Sequence, residues 1–141
     1  MSLTERQMAL VRTSFQALRD DQQPRFTEFY EALFRHAPEL RPMFREEDLG
    51  GQGMRFMTTL SVIVDNLHHP EALEERYADL GRGHRALGVK AEHFEPMGKA
   101  LIDTLAASLG PKFNDETREA WEVAYAEVAG AIIGKGDIPK S

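Results

Sequence analysis

Apolar residues recur along this sequence every three or four positions, while two-residue alternation is scarce, so the chain is restricted to an all-α fold. The first such stripe is Met8, Val11, Phe15 and Leu18. It follows Thr4-Glu5-Arg6-Gln7, a capping-box pattern in which the Thr hydroxyl accepts a free backbone N–H and the Gln side chain reaches back. Pro24 is suited to open a second helix, with Phe26, Phe29, Tyr30, Leu33 and Phe34 as its buried positions. Pro38 opens a short piece that ends near Phe44.

Residues 45–51 (REEDLGG) are polar and glycine-rich and read as a loop before a long helix over about 52–68. His69-Pro70-Glu71 starts the next helix, which Gly88 ends as a C-terminal cap. A further helix runs from about Glu92 to Leu109 and stops at Gly110-Pro111. Asn114 or Asp115 caps the last one, which carries Trp121, Tyr125, Val128 and Ile132. The pattern predicts one domain over residues 1–133 and a frayed tail over 134–141.

Whole-chain properties remove several function classes. With 141 residues the chain is long enough for one sizeable core. It has no cysteine, which excludes disulfides, thiolate metal sites and a thioether-linked cofactor, and fits a reducing compartment. A net charge of −6 argues against nucleic acid or an anionic membrane as partner. No apolar run approaches the ~20 residues of a bilayer span, and the N-terminus has no secretory core, so a cytoplasmic protein is expected. The five histidines show neither H-E-x-x-H nor Cys/His zinc spacing. There is no nucleophile–His–acid pattern and no phosphate-binding glycine loop. Chemistry, if present, falls to a bound cofactor, and an apolar helical bundle with one well-placed histidine suits haem.

Three separated motifs carry a family resemblance. The run Tyr77-Ala-Asp-Leu-Gly-Arg-Gly-His84-Arg-Ala-Leu-Gly-Val89 resembles the proximal helix of globins, above all bacterial single-domain globins and neuroglobin. Phe29-Tyr30-Glu-Ala-Leu-Phe34, followed by Pro38-Glu-Leu-Arg-Pro-Met-Phe44, resembles their second helix, short third helix and haem-stacking phenylalanine. The motifs occur in the right order, and the likeness covers about residues 4–133. It implies a three-over-three helical sandwich around one non-covalent b-type haem.

The resemblance assigns roles. His84 is the expected iron ligand, with its second ring nitrogen donating to a backbone carbonyl or similar group. Phe44 is expected against the haem edge. Gln52, 32 residues before His84, falls at the distal position, although a shift of one helical turn puts Phe56 there instead. In the first register Phe56 shares Gln52's face and crowds the iron. Tyr30 is expected to point its hydroxyl into the distal pocket, and Arg55 either reaches a haem propionate or is solvated. Leu80, Leu87, Val89, Phe94, Met97 and Leu101 are candidate haem walls, each equally a plain core position. His36, His68, His69 and His93 read as structural or solvated.

In flavohaemoglobin-like relatives a tyrosine and a glutamate support the proximal histidine; here Phe94 and Gly136 stand at those positions. The resemblance therefore implies reversible O2 binding, with NO and CO as further ligands, rather than peroxidase-like chemistry. Donors from Tyr30 and Gln52 would stabilise negative charge on bound O2 by roughly 1.5–3 kcal/mol each. The rival readings are NO dioxygenation with an external reductase, a gas or redox sensor, and a haem-free helical interaction module. No flavin or nicotinamide motif occurs in these residues, so turnover would draw electrons from another protein.

Overall fold

The computed structural model describes residues 3–20, 26–44 and 49–140. Six α-helices carry the described chain: α1 Glu5–Arg19, α2 Phe26–His36, α3 Leu49–Asp65, α4 Glu74–Ala86, α5 Phe94–Leu109 and α6 Asp115–Lys135. Short 3-10 turns at Pro38–Met43, Pro70–Leu73, Ala91–His93 and Gly110–Lys112 join them. No strand occurs among the described residues, and no helix among them is long and apolar enough to cross a membrane.

The local signals act as their chemistry requires. Gln7 N–H donates to Thr4 Oγ1 at 3.1 Å and Thr4 N–H to Gln7 Oε1 at 3.0 Å, closing both halves of the capping box. Met8, Val11, Phe15 and Leu18 are all buried. Asn114, not Asp115, caps α6, its Oδ1 accepting from Thr117 N–H at 2.9 Å. Gly88 adopts φ +87° after α4, and Val89 N–H donates to His84 O while Gly88 N–H donates to Arg85 O. That pair of bonds is a Schellman cap, and the positive φ is why glycine stands there.

Three boundaries differ from expectation. First, α3 begins at Leu49, so the glycine-rich run is already helical; residues 45–48 and Pro24 lie outside the described set, as does the side chain of Phe26. Helical glycine costs about 1 kcal/mol relative to alanine. Here Leu49 packs against the core and Gly53 is buried, so packing overrides propensity. Second, α3 ends at Asp65, three residues early, and residues 66–69 form turns instead. Third, the tail is not frayed. Asp137, at φ +51°, turns the chain back after α6, Ile138 is buried, and Pro139 O accepts from Ala91 N–H at 2.8 Å. The side chain of Ile138 joins a cluster with Tyr77, Val89, Phe94 and Ile132, which gives the tail apolar burial that polar neighbours conceal in the sequence.

The helices pack α2 on α5, α1 on α6 and α4 on α6. Trp121 Nε1 on α6 donates to Ser14 Oγ on α1 at 2.8 Å, satisfying two buried polar groups at once. One apolar cluster joins α1, α2, α5 and the first half of α6, and a second joins α4, the end of α6 and the tail.

Candidate functional site

A cavity of about 370 Å³ lies between these two clusters. Its side walls are α3 (Gln52, Phe56, Ile63 among others) and α4 (Leu80, His84), and α5 and α6 close it behind. Gln52, Leu80 and His84 also line an outer depression with Glu75, Arg76 and Asp79, so the cavity meets the surface beside them. Leu87, expected as a wall, lines only that outer depression and is 66% exposed.

The α4 wall is positioned by a backbone contact. A Cβ built on Gly81 would stand 2.5 Å from Ile132 O and 2.6 Å from Gly136 Cα. No side chain fits between α4 and the end of α6, and two glycines let the backbones meet. One turn beyond Gly81 is His84. Its Nδ1 lies 2.6 Å from Leu80 O. A carbonyl only accepts, so Nδ1 carries a proton, and in the neutral tautomer the lone pair belongs to Nε2.

The His84 ring packs beside Phe94, with centroids 5.4 Å apart. Phe94 is held in turn by Tyr125, whose hydroxyl donates to Phe94 O at 2.6 Å. The Tyr125 ring crosses α5 at Gly98, where an added Cβ would come within 2.7 Å of it. Burial pushes the Tyr125 phenol well above its ordinary range, so it remains a donor at neutral pH. Tyr77, on α4, is also raised, mainly by burial and further by Glu127.

His84 is the only one of the five histidines that lines the cavity. His36 pairs with Asp103 at 2.8 Å and His68 with Glu5 at 3.0 Å. The Nδ1 of His93 accepts from Lys90 N–H, and exposed His69 lies 3.6 Å from Glu71.

The α3 wall presents Gln52 and Phe56, four residues apart on one face. The Phe56 ring stacks on Phe29 of α2 at 4.6 Å and 20°, and Phe29 also lines the cavity. Arg55 Nη2 donates to Gln52 Oε1 at 2.7 Å. The side chain of Arg55 is exposed at the rim and lines the cavity as well.

Of the residues named from sequence, Gln52, Arg55, Phe56, Leu80, His84, Phe94, Met97 and Leu101 come together around this space. Tyr30, Phe44 and Val89 do not line it. Tyr30 is 3% exposed and packs edge-on to Phe29, 5.4 Å from Phe44, in an aromatic cluster behind the α2 wall. Val89 is buried beneath the Gly88 turn with Phe94 and Tyr77. Phe29, Trp121 and Tyr125 line the cavity without having been expected there. Helical spacing marked all three as buried, and it carries no signal that separates a cavity wall from filled core.

The globin family model matches residues 27–132, from the second helix through most of the last. The chain is 30% identical over 134 residues to a flavohemoprotein of Deinococcus radiodurans, covering 94% of this chain and 33% of that protein. It spans about a third of the length of the curated relatives it matches. The structure superposes on a bacterial globin of Campylobacter jejuni with TM-score 0.84 and 27% identity, covering 95% of this chain and 96% of that one. A protein from Rhodothermus marinus, described as an engineered carbene transferase and a candidate nitric oxide dioxygenase, superposes at TM-score 0.85 and 26% identity, covering 96% and 94%. The family match over most of the chain and the shared helical architecture lead to one conclusion: this chain belongs to the globin family.

Proposed function

We propose that the chain binds one b-type haem through His84 and reversibly holds O2, with NO and CO as further ligands. One observation carries the reading: the only histidine lining the cavity has its Nδ1–H committed to Leu80 O, so Nε2 is the nitrogen available to bind a metal. The remaining lining fits a flat, largely apolar group with a polar edge. Phe56, Leu80, Phe94, Met97 and Leu101 supply apolar contact, while Gln52 and Arg55 lie at the rim. Exposed Leu87, beside His84 in the outer depression, is apolar surface that a bound group would cover. When bound, the haem supplies an iron whose sixth position takes a diatomic gas.

The chain's own residues then set the terms of binding. Stacked Phe29 and Phe56 exclude water from the distal side, and Gln52 offers an amide donor. Among the described residues, no carboxylate hydrogen-bonds His84. Its Nδ1–H meets a neutral carbonyl, Phe94 has no hydroxyl, and the Gly81 backbone fills the space a side chain at Gly136 would need. This arrangement favours reversible binding over oxidative turnover.

The test is the visible spectrum of the purified protein in ferric, ferrous and CO-bound forms. A Soret band that shifts on CO addition is expected, and His84→Ala should abolish or sharply weaken haem retention. Absence of a Soret band after haem reconstitution, or an unchanged CO spectrum in His84→Ala, would overturn the proposal. A second reading, NO dioxygenation with a separate reductase, is favoured by the names of the relatives. Single-turnover NO decay with the O2-loaded protein, followed by catalytic assays with added reductases, separates the two.

A further inference from the structure

Gln52 and Arg55 stand one turn apart on α3, and both line the cavity. The bond between them runs from Arg55 Nη2 to Gln52 Oε1 at 2.7 Å. A guanidinium can only donate, so it settles the orientation of an amide whose two ends have nearly the same shape. The oxygen belongs to Arg55, and the NH2 group is the end left for a cavity ligand. We propose that Arg55 is a positioning residue for ligand selectivity: by holding Gln52 Oε1 it presents the amide N–H to the bound gas. This rests on the haem reading above.

The effect on selectivity follows from charge. O2 on ferrous haem carries partial negative charge on its outer atom, and CO carries much less, so an N–H favours O2 over CO. An amide turned the other way would face the gas with a lone pair and reverse that preference. Two features make a restraint necessary. Gln52 is flanked by Gly51 and Gly53, which stiffen the backbone least, and its own side chain has three rotatable bonds. The spacing of three residues on a helix places the guanidinium beside the amide. The helix already begins at Leu49, three residues earlier than the sequence suggested, so Gln52 sits within it rather than at its start. Phe56 and Phe29 form the apolar side of the same space, where a donor is less diluted by water.

A double-mutant cycle tests the proposal, using Arg55→Met, Gln52→Leu and the pair in the haem-loaded ferrous protein. O2 and CO dissociation are followed by stopped flow, and the C–O stretching frequency of the CO complex by infrared spectroscopy. Arg55→Met keeps the stem and removes the donors. It should accelerate O2 release by about 3- to 10-fold, the range for one ordinary hydrogen bond, with CO release changed less than about 2-fold. The C–O stretch should rise as the N–H turns away. In the Gln52→Leu background the same substitution should change nothing, because no amide is left to orient. Arg55→Lys, a point donor on a flexible stem, should restore part of the O2 effect.

Equal effects of Arg55→Met in both backgrounds would overturn the proposal and assign Arg55 to a propionate or to the gas directly. Unchanged O2 release, or equal changes for O2 and CO, would overturn it too. A parent protein that takes up no haem refutes the functional reading itself, whereas a haem-loaded protein with an additive cycle refutes only the role of Arg55.

Discussion

Replacing Gly136 by alanine isolates the contact that sets α4, and with it His84. The backbone at Gly136 has φ −93° and ψ 0°, which alanine adopts without strain, so any cost is steric. A Cβ there would lie 2.4 Å from Gly81 Cα, 2.5 Å from Gly81 C and 2.8 Å from Gly81 O. Carbon atoms in contact rest at about 3.5–4.0 Å, so the helices must part by roughly 1 Å or more. The obstacle is backbone on both sides, and no rotamer change relieves it.

Overpacking of this kind costs about 1–3 kcal/mol, and a displaced α4 carries His84 with it. Alanine at Gly130 or Gly134 provides the control. Both lie on α6 with open space around an added Cβ, so helix propensity alone should stabilise them by up to about 1 kcal/mol. Urea unfolding measures all three. The midpoint should fall for Gly136→Ala and hold or rise for the controls, with an unchanged slope. Haem loss to an acceptor protein should also be faster for Gly136→Ala alone. A Gly136→Ala protein as stable as its parent, or more so, would refute the steric argument.

Gln52→Leu should speed O2 release more than Tyr30→Phe does, by roughly 3-fold or more. Gln52 lines the cavity and Tyr30 does not, so stopped-flow dissociation with the opposite order would put the Tyr30 hydroxyl on the ligand. Tyr125→Phe should destabilise the protein by about 0.5–1.5 kcal/mol near neutral pH through the lost bond to Phe94 O. The Tyr125 phenol is raised by burial, so its contribution is complete below the unfolded value of about 10 and is lost as pH climbs beyond it. Melting curves should therefore show the gap between parent and Tyr125→Phe narrowing as pH rises above about 10, and a constant gap would contradict the assignment. Peroxidase turnover should be low, because His84 Nδ1–H meets only Leu80 O. Rapid, sustained oxidation of a phenolic dye by hydrogen peroxide would show that another group makes the histidine more electron-donating.

Much of this protein was legible before its structure because the relevant signals are local. Thr4 and Gln7 cap their own helix, Asn114 caps another, and Gly88 supplies the positive φ that ends α4. Each works through residues three to five positions away, so spacing alone predicts it. The order of helices, the single candidate ligand His84 and the pair Gln52 and Phe56 follow from the same periodicity together with the family motifs.

What escaped depends on contacts between distant segments. A buried face looks the same in sequence whether it meets another side chain or a cavity, so site roles fell to Tyr30 and Phe44 while Phe29, Trp121 and Tyr125, which line the cavity, were read only as core. A run of glycines reads as a loop because glycine weakens an isolated helix. Tertiary packing of Leu49 and Gly53 overrode that cost. Ile138 lies in a polar tail and is buried only because Asp137 turns it toward Tyr77 and Phe94. The meeting of Gly81 with Gly136 spans 55 residues, and neither glycine signals the other. Local hydrogen bonding and the helical repeat determined which segments became helices and which faces turned inward; only the packing of those faces decided where a cavity was left and which side chains surround it.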